Sequence, residues 1–165
     1  MVFPLLILLM VSILELGLVF KEMLTLSFTA RDAARVGSLA GNDPDADCDI
    51  IQSIVAAFGP ADLADVDIRI FKASEATGNP VVGSVNTWSL NPGGDPVTCD
   101  PIDWSITETW PSTSRQVTVG ATTELDIIGV SLDTTHTWVT GFPPWRGTIA
   151  VSRTALQRLE PEAFE

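Results

Sequence analysis

The stretch MVFPLLILLMVSILELGLVF, residues 1–20, is an almost unbroken apolar run in which Glu15 is the only charged residue. In a helix, twenty residues extend about 30 Å, which matches the hydrocarbon core of a bilayer. A half-exposed helix of a globular domain would carry a polar face, and this run has none. We therefore predict a helix over residues 1–20 that is either transmembrane or part of a filament core.

The apolar run continues without a proline into KEMLTLSFTARDAARVGSLAG, residues 21–41. Gly41 and Pro44 then indicate the end of the helix. A helix of about 40 residues is about 60 Å long, so we expect its first half to project from the globular part. Residues 21–41 are expected to dock on the globular domain. This half also has a narrow face, rich in small side chains, on which another helix could lie close: Leu24, Phe28, Ala30, Ala33, Ala34 and Gly37.

Residues 42–165 are expected to form one extracytoplasmic α+β domain. IIQSIVAAF predicts a short second helix that ends at Gly59 and Pro60. Apolar and polar residues then alternate, most clearly in DVDIRIFKA, residues 65–73. Further strand patterns follow without intervening helices, in VVGSVNTWSL, IDWSITETW, TTHTWVTGF and GTIAVSRTAL. Five or six strands after two helices predict an antiparallel sheet.

Alternation also predicts which strand residues face the core. In the first strand it separates a buried face from a solvent face that carries Asp67, Arg69 and Phe71. In the third strand pattern it assigns one apolar face to Ile102, Trp104 and Ile106.

The composition limits the partners. The chain has 21 Asp and Glu against 9 Lys and Arg, which gives a net charge of −12. It therefore lacks the basic footprint of a nucleic-acid-binding protein, and binding to an anionic lipid surface is disfavoured. We predict no nucleic-acid partner.

Two cysteines, Cys48 and Cys99, follow the apolar run. In an oxidising compartment they would form a single disulfide, and the alternative is two buried, unpaired thiols. The chain has no Cys/His cluster and only one histidine, His136, so no structural zinc site is predicted.

The segment NDPDADCD, residues 42–49, repeats aspartate at every second position. This pattern suggests calcium, but it lacks the central glycine and the closing glutamate of an EF-hand loop. We favour capping of the second helix by Asp45 or Asp47.

No catalytic site or cofactor site is predicted. A nucleophile–histidine–acid arrangement would have to use His136, which lies in a strand pattern, and we interpret it as a surface strand histidine. Gly-rich phosphate loops are absent. Five tryptophans could form a sugar-binding platform, but we expect most of them to pack in the core or at interfaces: Trp88, Trp104, Trp110, Trp138 and Trp145. We predict that the protein is not an enzyme.

Glu15 is the one residue of the apolar run that is energetically unfavourable there, because burying an unpaired carboxylate in apolar surroundings costs free energy. Two interpretations remain open. The side chain reaches the membrane interface, or it pairs with a cation or an N-terminus of a neighbouring subunit.

The segments PLLILLMVSILELG and LTLSFTARDAARVGSLAG resemble the N-terminal part of TadE-like proteins of tight-adherence (Tad) pilus systems. In that family an apolar helix with a Glu-x-Gly pattern, here Glu15 and Gly17, leads into an Ala-Ala-Arg stretch. ARDAARVG stands at that place in this chain. The segment TIAVSRTALQRLEP resembles the family's closing strands. The middle of the chain carries no resemblance.

This resemblance implies a type IV pilin-like subunit, a minor pilin or pseudopilin, in which Glu15 and Gly17 serve assembly. It implies a short basic leader upstream of the apolar run, removed by a prepilin peptidase. The expected partners are other pilin subunits through the N-terminal helix, the membrane before assembly, and the pilus assembly machinery. The expected location is a single-pass membrane protein with an extracytoplasmic domain, then an extracellular filament or the cell surface. The alternative is a surface-anchored binding or adhesion domain that does not polymerise.

Overall fold

A computed structural model describes residues 3–58, 63–118, 124–141 and 146–161 of the chain. In chain order it contains helices α1 and α2 and five strands: α1 Phe3–Ala40, α2 Ala46–Phe58, β1 Val66–Ala73, β2 Pro80–Leu90, β3 Trp104–Thr107, β4 Ile127–Thr137 and β5 Thr148–Arg158. The α+β class, with a long first helix, a short second helix and an antiparallel sheet, is confirmed. Gly59 and Pro60, the predicted end of the second helix, lie outside the described residues.

The five strands form one sheet in the order β3-β2-β1-β4-β5, and every neighbouring pair is antiparallel. β1 lies in the middle, where Ile70 pairs with Asn86 of β2 and with Val130 of β4. β4 begins at Ile127, earlier than the predicted pattern at Thr134. Its first half is buried on both faces, which removes the alternation that would have revealed it.

The core lies between one face of the sheet and the two helices. The second half of α1 contributes Leu26, Ala30 and Ala33, each fully buried, and α2 contributes Ile50 and Ile54. Small side chains let the helix approach closely. A Cβ on Gly37 would lie 2.7 Å from Cδ1 of Ile50 and 2.8 Å from Cδ1 of Ile128.

Two residues of the narrow face predicted on α1 are not part of the buried contact. Leu24 and Phe28 are exposed, whereas Ala30, Ala33 and Ala34 are buried. The buried stripe of α1 passes through Leu26, and positions two apart on a helix point about 200° apart. Leu24 and Phe28 therefore lie outside this buried stripe.

Two strand residues also differ from the alternation. Phe71 is on the solvent face as predicted, yet it is buried, because its ring lies over Gly129, its partner on β4. An aromatic ring over a cross-strand glycine covers backbone that the glycine leaves open. Trp104 is buried as predicted, whereas Ile102 is exposed because it belongs to a turn before β3.

Cys48 and Cys99 form the predicted disulfide, with their Cα atoms 5.7 Å apart. It ties the first turn of α2 to the loop between β2 and β3.

The aspartate segment begins α2 in a different way from the prediction. Asp43 accepts a hydrogen bond from the amide of Asp45, which shapes the turn. Asp47 does not cap the helix: its buried carboxylate pairs with Arg115 and accepts a hydrogen bond from Asn86 at 2.7 Å. Arg115 in turn lies 4.7 Å from the ring centre of Trp110.

Within the described part of the chain, no helix is both long and apolar enough to cross a membrane. The transmembrane part of our prediction for residues 1–20 is therefore not supported.

Candidate functional site

The first half of α1 presents a large apolar surface that no described residue covers. Twelve large apolar side chains between Phe3 and Phe20 are exposed: Phe3, Leu5, Leu6, Ile7, Leu8, Leu9, Met10, Ile13, Leu14, Leu16, Leu18 and Phe20. Contiguous apolar surface of this kind is typical of an interaction site.

One stripe of α1 packs against the rest of the described structure, and Glu15 is its first fully buried residue. Val19, which is buried, and Glu22 continue the stripe towards Leu26 in the core. Steps of three and four residues keep these positions on one side of the helix. The contact between α1 and the domain thus continues N-terminal to the hydrophobic core.

The carboxylate of Glu15 is held by the loop that follows β4. The backbone N–H of Thr140 donates to Oε1 at 2.5 Å, and that of Val139 donates to Oε2 at 3.3 Å. The residue is fully buried, with a relative exposure of 0%. Both carboxylate oxygens therefore have a backbone donor.

These contacts stabilise the charged form of Glu15. The Thr140 side chain holds the pKa of the Glu15 carboxyl below its usual range, and the N–H groups of Thr140 and Val139 act in the same direction. Burial raises this pKa, but the hydrogen bonds outweigh it.

A second contact, two helical turns further along α1, joins the helix to β4 itself. Nδ1 of His136 lies 2.5 Å from Oε2 of Glu22, and both groups are largely buried. The imidazole packs edge-on against Trp138, with ring centres 5.4 Å apart. Glu15 and Glu22 together clamp the end of β4 and its loop to α1.

These contacts correct one prediction, because His136 is buried against α1 and is not a surface histidine. Glu15 accepts hydrogen bonds from two backbone amides of its own domain, which neither interpretation of its side chain included. The role in assembly expected for Glu15 stays a prediction. Val139 and Thr140 were missed, and so was Glu22. The only available signal was the seven-residue spacing of Glu15 and Glu22, which places both on one side of a helix.

Gly17 lies at the edge of an open groove of about 400 Å³ between α1 and the loop after β4, next to Leu14 and Val139. A Cβ on Gly17 would meet nothing within 4 Å. Glycine in a helix interior costs roughly 0.5–1 kcal/mol relative to alanine. The packing of the isolated chain therefore does not require a glycine here.

Metal chemistry has no visible basis in the described ranges. No group of three or more His, Cys, Asp or Glu side chains there is arranged to hold an ion, and this includes the aspartates at the start of α2.

Trp145, one of the five tryptophans, lies outside the described residues.

The structure thus defines an α+β domain on one end of a long helix whose other end is apolar and uncovered. Residues 1–35 match the model of a family described as TadE-like protein, which confirms the resemblance for this N-terminal segment. This match makes the N-terminal segment similar to a family that is associated with Tad pili. No curated protein and no solved structure matches the chain.

Proposed function

We propose that the protein is a pilin-like structural subunit of a Tad-type pilus, with no enzymatic activity and no cofactor. It assembles into the filament, or at its base or tip, through the first half of α1. Its partners are neighbouring pilin subunits and the assembly machinery.

The observation that carries the proposal is the row of twelve exposed apolar side chains between Phe3 and Phe20. Burying such a surface gains about 25 cal/mol per Å², so a protein partner that covers it would be bound strongly. Gly17 supports the same role. A helix position without a side chain lets a second helix approach closely, and no residue that the structure describes fills that space.

The test compares Leu9→Lys with Val82→Lys in the full chain. Both residues are exposed, but Leu9 lies in the apolar half of α1 and Val82 lies in β2. We expect Leu9→Lys to abolish incorporation into sheared surface filaments and self-association after detergent removal, because a charge at an apolar contact is costly. Val82→Lys should behave like the unaltered protein.

Normal assembly of the Leu9→Lys variant would contradict the proposal. The proposal would also be contradicted if the unaltered chain were absent from sheared filaments and stayed monomeric after detergent removal. This is the behaviour expected of a surface-anchored adhesion domain.

A further inference from the structure

The charge of the protein is distributed very unevenly. Three of its 21 acidic and three of its 9 basic residues lie in residues 1–41, so residues 42–165 carry the whole net charge of −12. In the domain, Arg69, Lys72, Arg115 and Arg158 are all used in ion pairs. The other five basic residues have no ion pair within the described ranges: Arg146 and Arg153 lie before and in β5, and Lys21, Arg31 and Arg35 lie on α1.

Arg31 and Arg35 belong to this second group. They are four residues apart on the same side of α1, both are exposed, and neither has an ion-pair partner among the residues that the structure describes. They line a groove of about 510 Å³ between α1 and the end of α2. Its other lining residues are Phe28, Thr29, Asp32 and Ala57. Phe28 is 65% exposed.

The groove thus combines the aromatic ring of Phe28 with two guanidinium groups. The negative charge of Asp32 balances only one of the two positive charges. A complementary partner would offer carboxylates on either side of a small apolar group. The turn between α1 and α2 has this composition: Asp43, Pro44 and Asp45 are consecutive and exposed.

The turn is also rigid. The side chain of Asp43 accepts the amide of Asp45 at 3.0 Å, and its carbonyl accepts the amide of Ala46 at 3.0 Å. The side chain of Asp45 has no hydrogen bond or ion pair within the described ranges. A preformed turn loses little conformational entropy on binding.

We propose that the groove around Arg31 and Arg35 binds the turn Asp43–Asp45 of a second copy of this chain. This inference rests on the proposed function, because it specifies how neighbouring subunits contact each other. The turn lies about ten residues beyond the centre of the groove, seven of them in α1, which places it about 10–15 Å further along the helix axis. Two parallel copies displaced by that distance bring turn and groove together while their apolar helix halves remain side by side.

An intramolecular role is the main alternative. The groove borders Ala57 near the C-terminal end of α2, which has no basic residue in its last turn. Cationic side chains stabilise a helix at that end. In that case, reversing the charge of Arg35 would lower thermal stability without changing assembly once the protein is folded.

The test is a charge-exchange experiment on the full chain with Arg35→Glu, Asp45→Arg and the double variant. We expect each single variant to reduce self-association by about tenfold or more, and the double variant to recover most of the loss. Association of the unaltered chain should also weaken with added salt. Thermal unfolding of the monomers shows that the variants fold. Arg146→Glu is the control for net charge, because Arg146 is exposed and lies far from this groove in the sequence.

Unchanged association in both single variants would overturn the inference, and so would a double variant that recovers nothing or an equal loss in Arg146→Glu. Binding of the unaltered chain to vesicles of anionic lipid, abolished by Arg35→Glu, would assign the groove to a membrane instead.

A cysteine pair gives an independent readout: Arg35→Cys mixed with Asp45→Cys should form a disulfide between copies. If the unaltered chain does not self-associate, the proposed function fails. If it associates and these variants do not matter, only this contact fails.

Discussion

The backbone N–H of Thr140 lies 2.5 Å from Oε1 of Glu15, so a loop of the domain and a carboxylate on the protruding helix hold each other in place. The one charge in the apolar run is thereby satisfied within the chain. The clamp leaves the remaining sides of the same helical turns free for a partner.

Replacing Glu15 by glutamine tests this clamp. A neutral acceptor binds an amide more weakly than a carboxylate, so the Val139 and Thr140 amides should exchange with solvent about tenfold faster. Hydrogen exchange measured by nuclear magnetic resonance checks this. Leu16→Gln is the matched control, because Leu16 is exposed on another side of the helix and should leave both amides protected. Equal protection in Glu15→Gln would show that the charge of Glu15 does not hold the loop.

The same contact predicts a response to acid. The pKa of Glu15 is lowered in the folded protein from an ordinary value of 4.5. The stabilisation is therefore fully present above that value and is lost as the pH falls through the lower, folded-state pKa. Protection of the Thr140 amide, followed between about pH 6 and about pH 2.5, should decrease only at the acidic end. The Glu15→Gln variant should lack this step, and a step of equal size in that variant would assign it to another group.

Gly37 and Gly17 should respond oppositely to alanine. At Gly37 a Cβ would lie within 2.8 Å of two buried isoleucine methyl groups, so Gly37→Ala should destabilise the protein by about 1–3 kcal/mol. Gly17 has open space, and Gly17→Ala should be neutral or should stabilise the helix by about 0.5–1 kcal/mol. Chemical denaturation of the two variants gives both values. A stabilised Gly37→Ala protein would mean that helix and core separate more easily than the close contacts indicate.

Two ion pairs allow a comparison of buried and exposed charge. Asp47→Ala leaves Arg115 buried without its carboxylate, which should cost about 3–5 kcal/mol. Glu75→Ala removes a pair with Arg158 in which both side chains are about half exposed, and should cost less than about 1 kcal/mol. Equal losses in urea unfolding would contradict the assignment of Asp47 and Arg115 as the structural pair.

The parts of the fold that depend on local patterns could be predicted from the sequence. The long first helix, the central strand over Val66–Ala73 and the pairing of Cys48 with Cys99 follow from hydrophobic spacing and from the number of cysteines. The exposed first half of α1 also follows, because the helix is longer than a small domain.

The clamp could not be predicted, because its partners are far apart in the chain. Glu15 and Thr140 are separated by 125 positions, and Glu22 and His136 by 114. Asp47 illustrates the same limit. Its position before an apolar run is typical of a cap, yet Arg115, 68 positions away, is its partner. The local spacing of residues predicts a helix or a strand, whereas packing between distant parts of the chain decides what a charged side chain contacts.

The stripe from Glu15 to Leu26 also fixes the rotational phase of α1. Each helical residue turns by about 100°, so one residue inserted between Glu22 and Leu26 would rotate the whole N-terminal half and carry Glu15 away from the loop after β4. The side of the helix that faces outward is therefore set by the domain. When a partner binds the apolar half, the domain is therefore held at one fixed rotation about the helix axis. No separate step is needed to orient it.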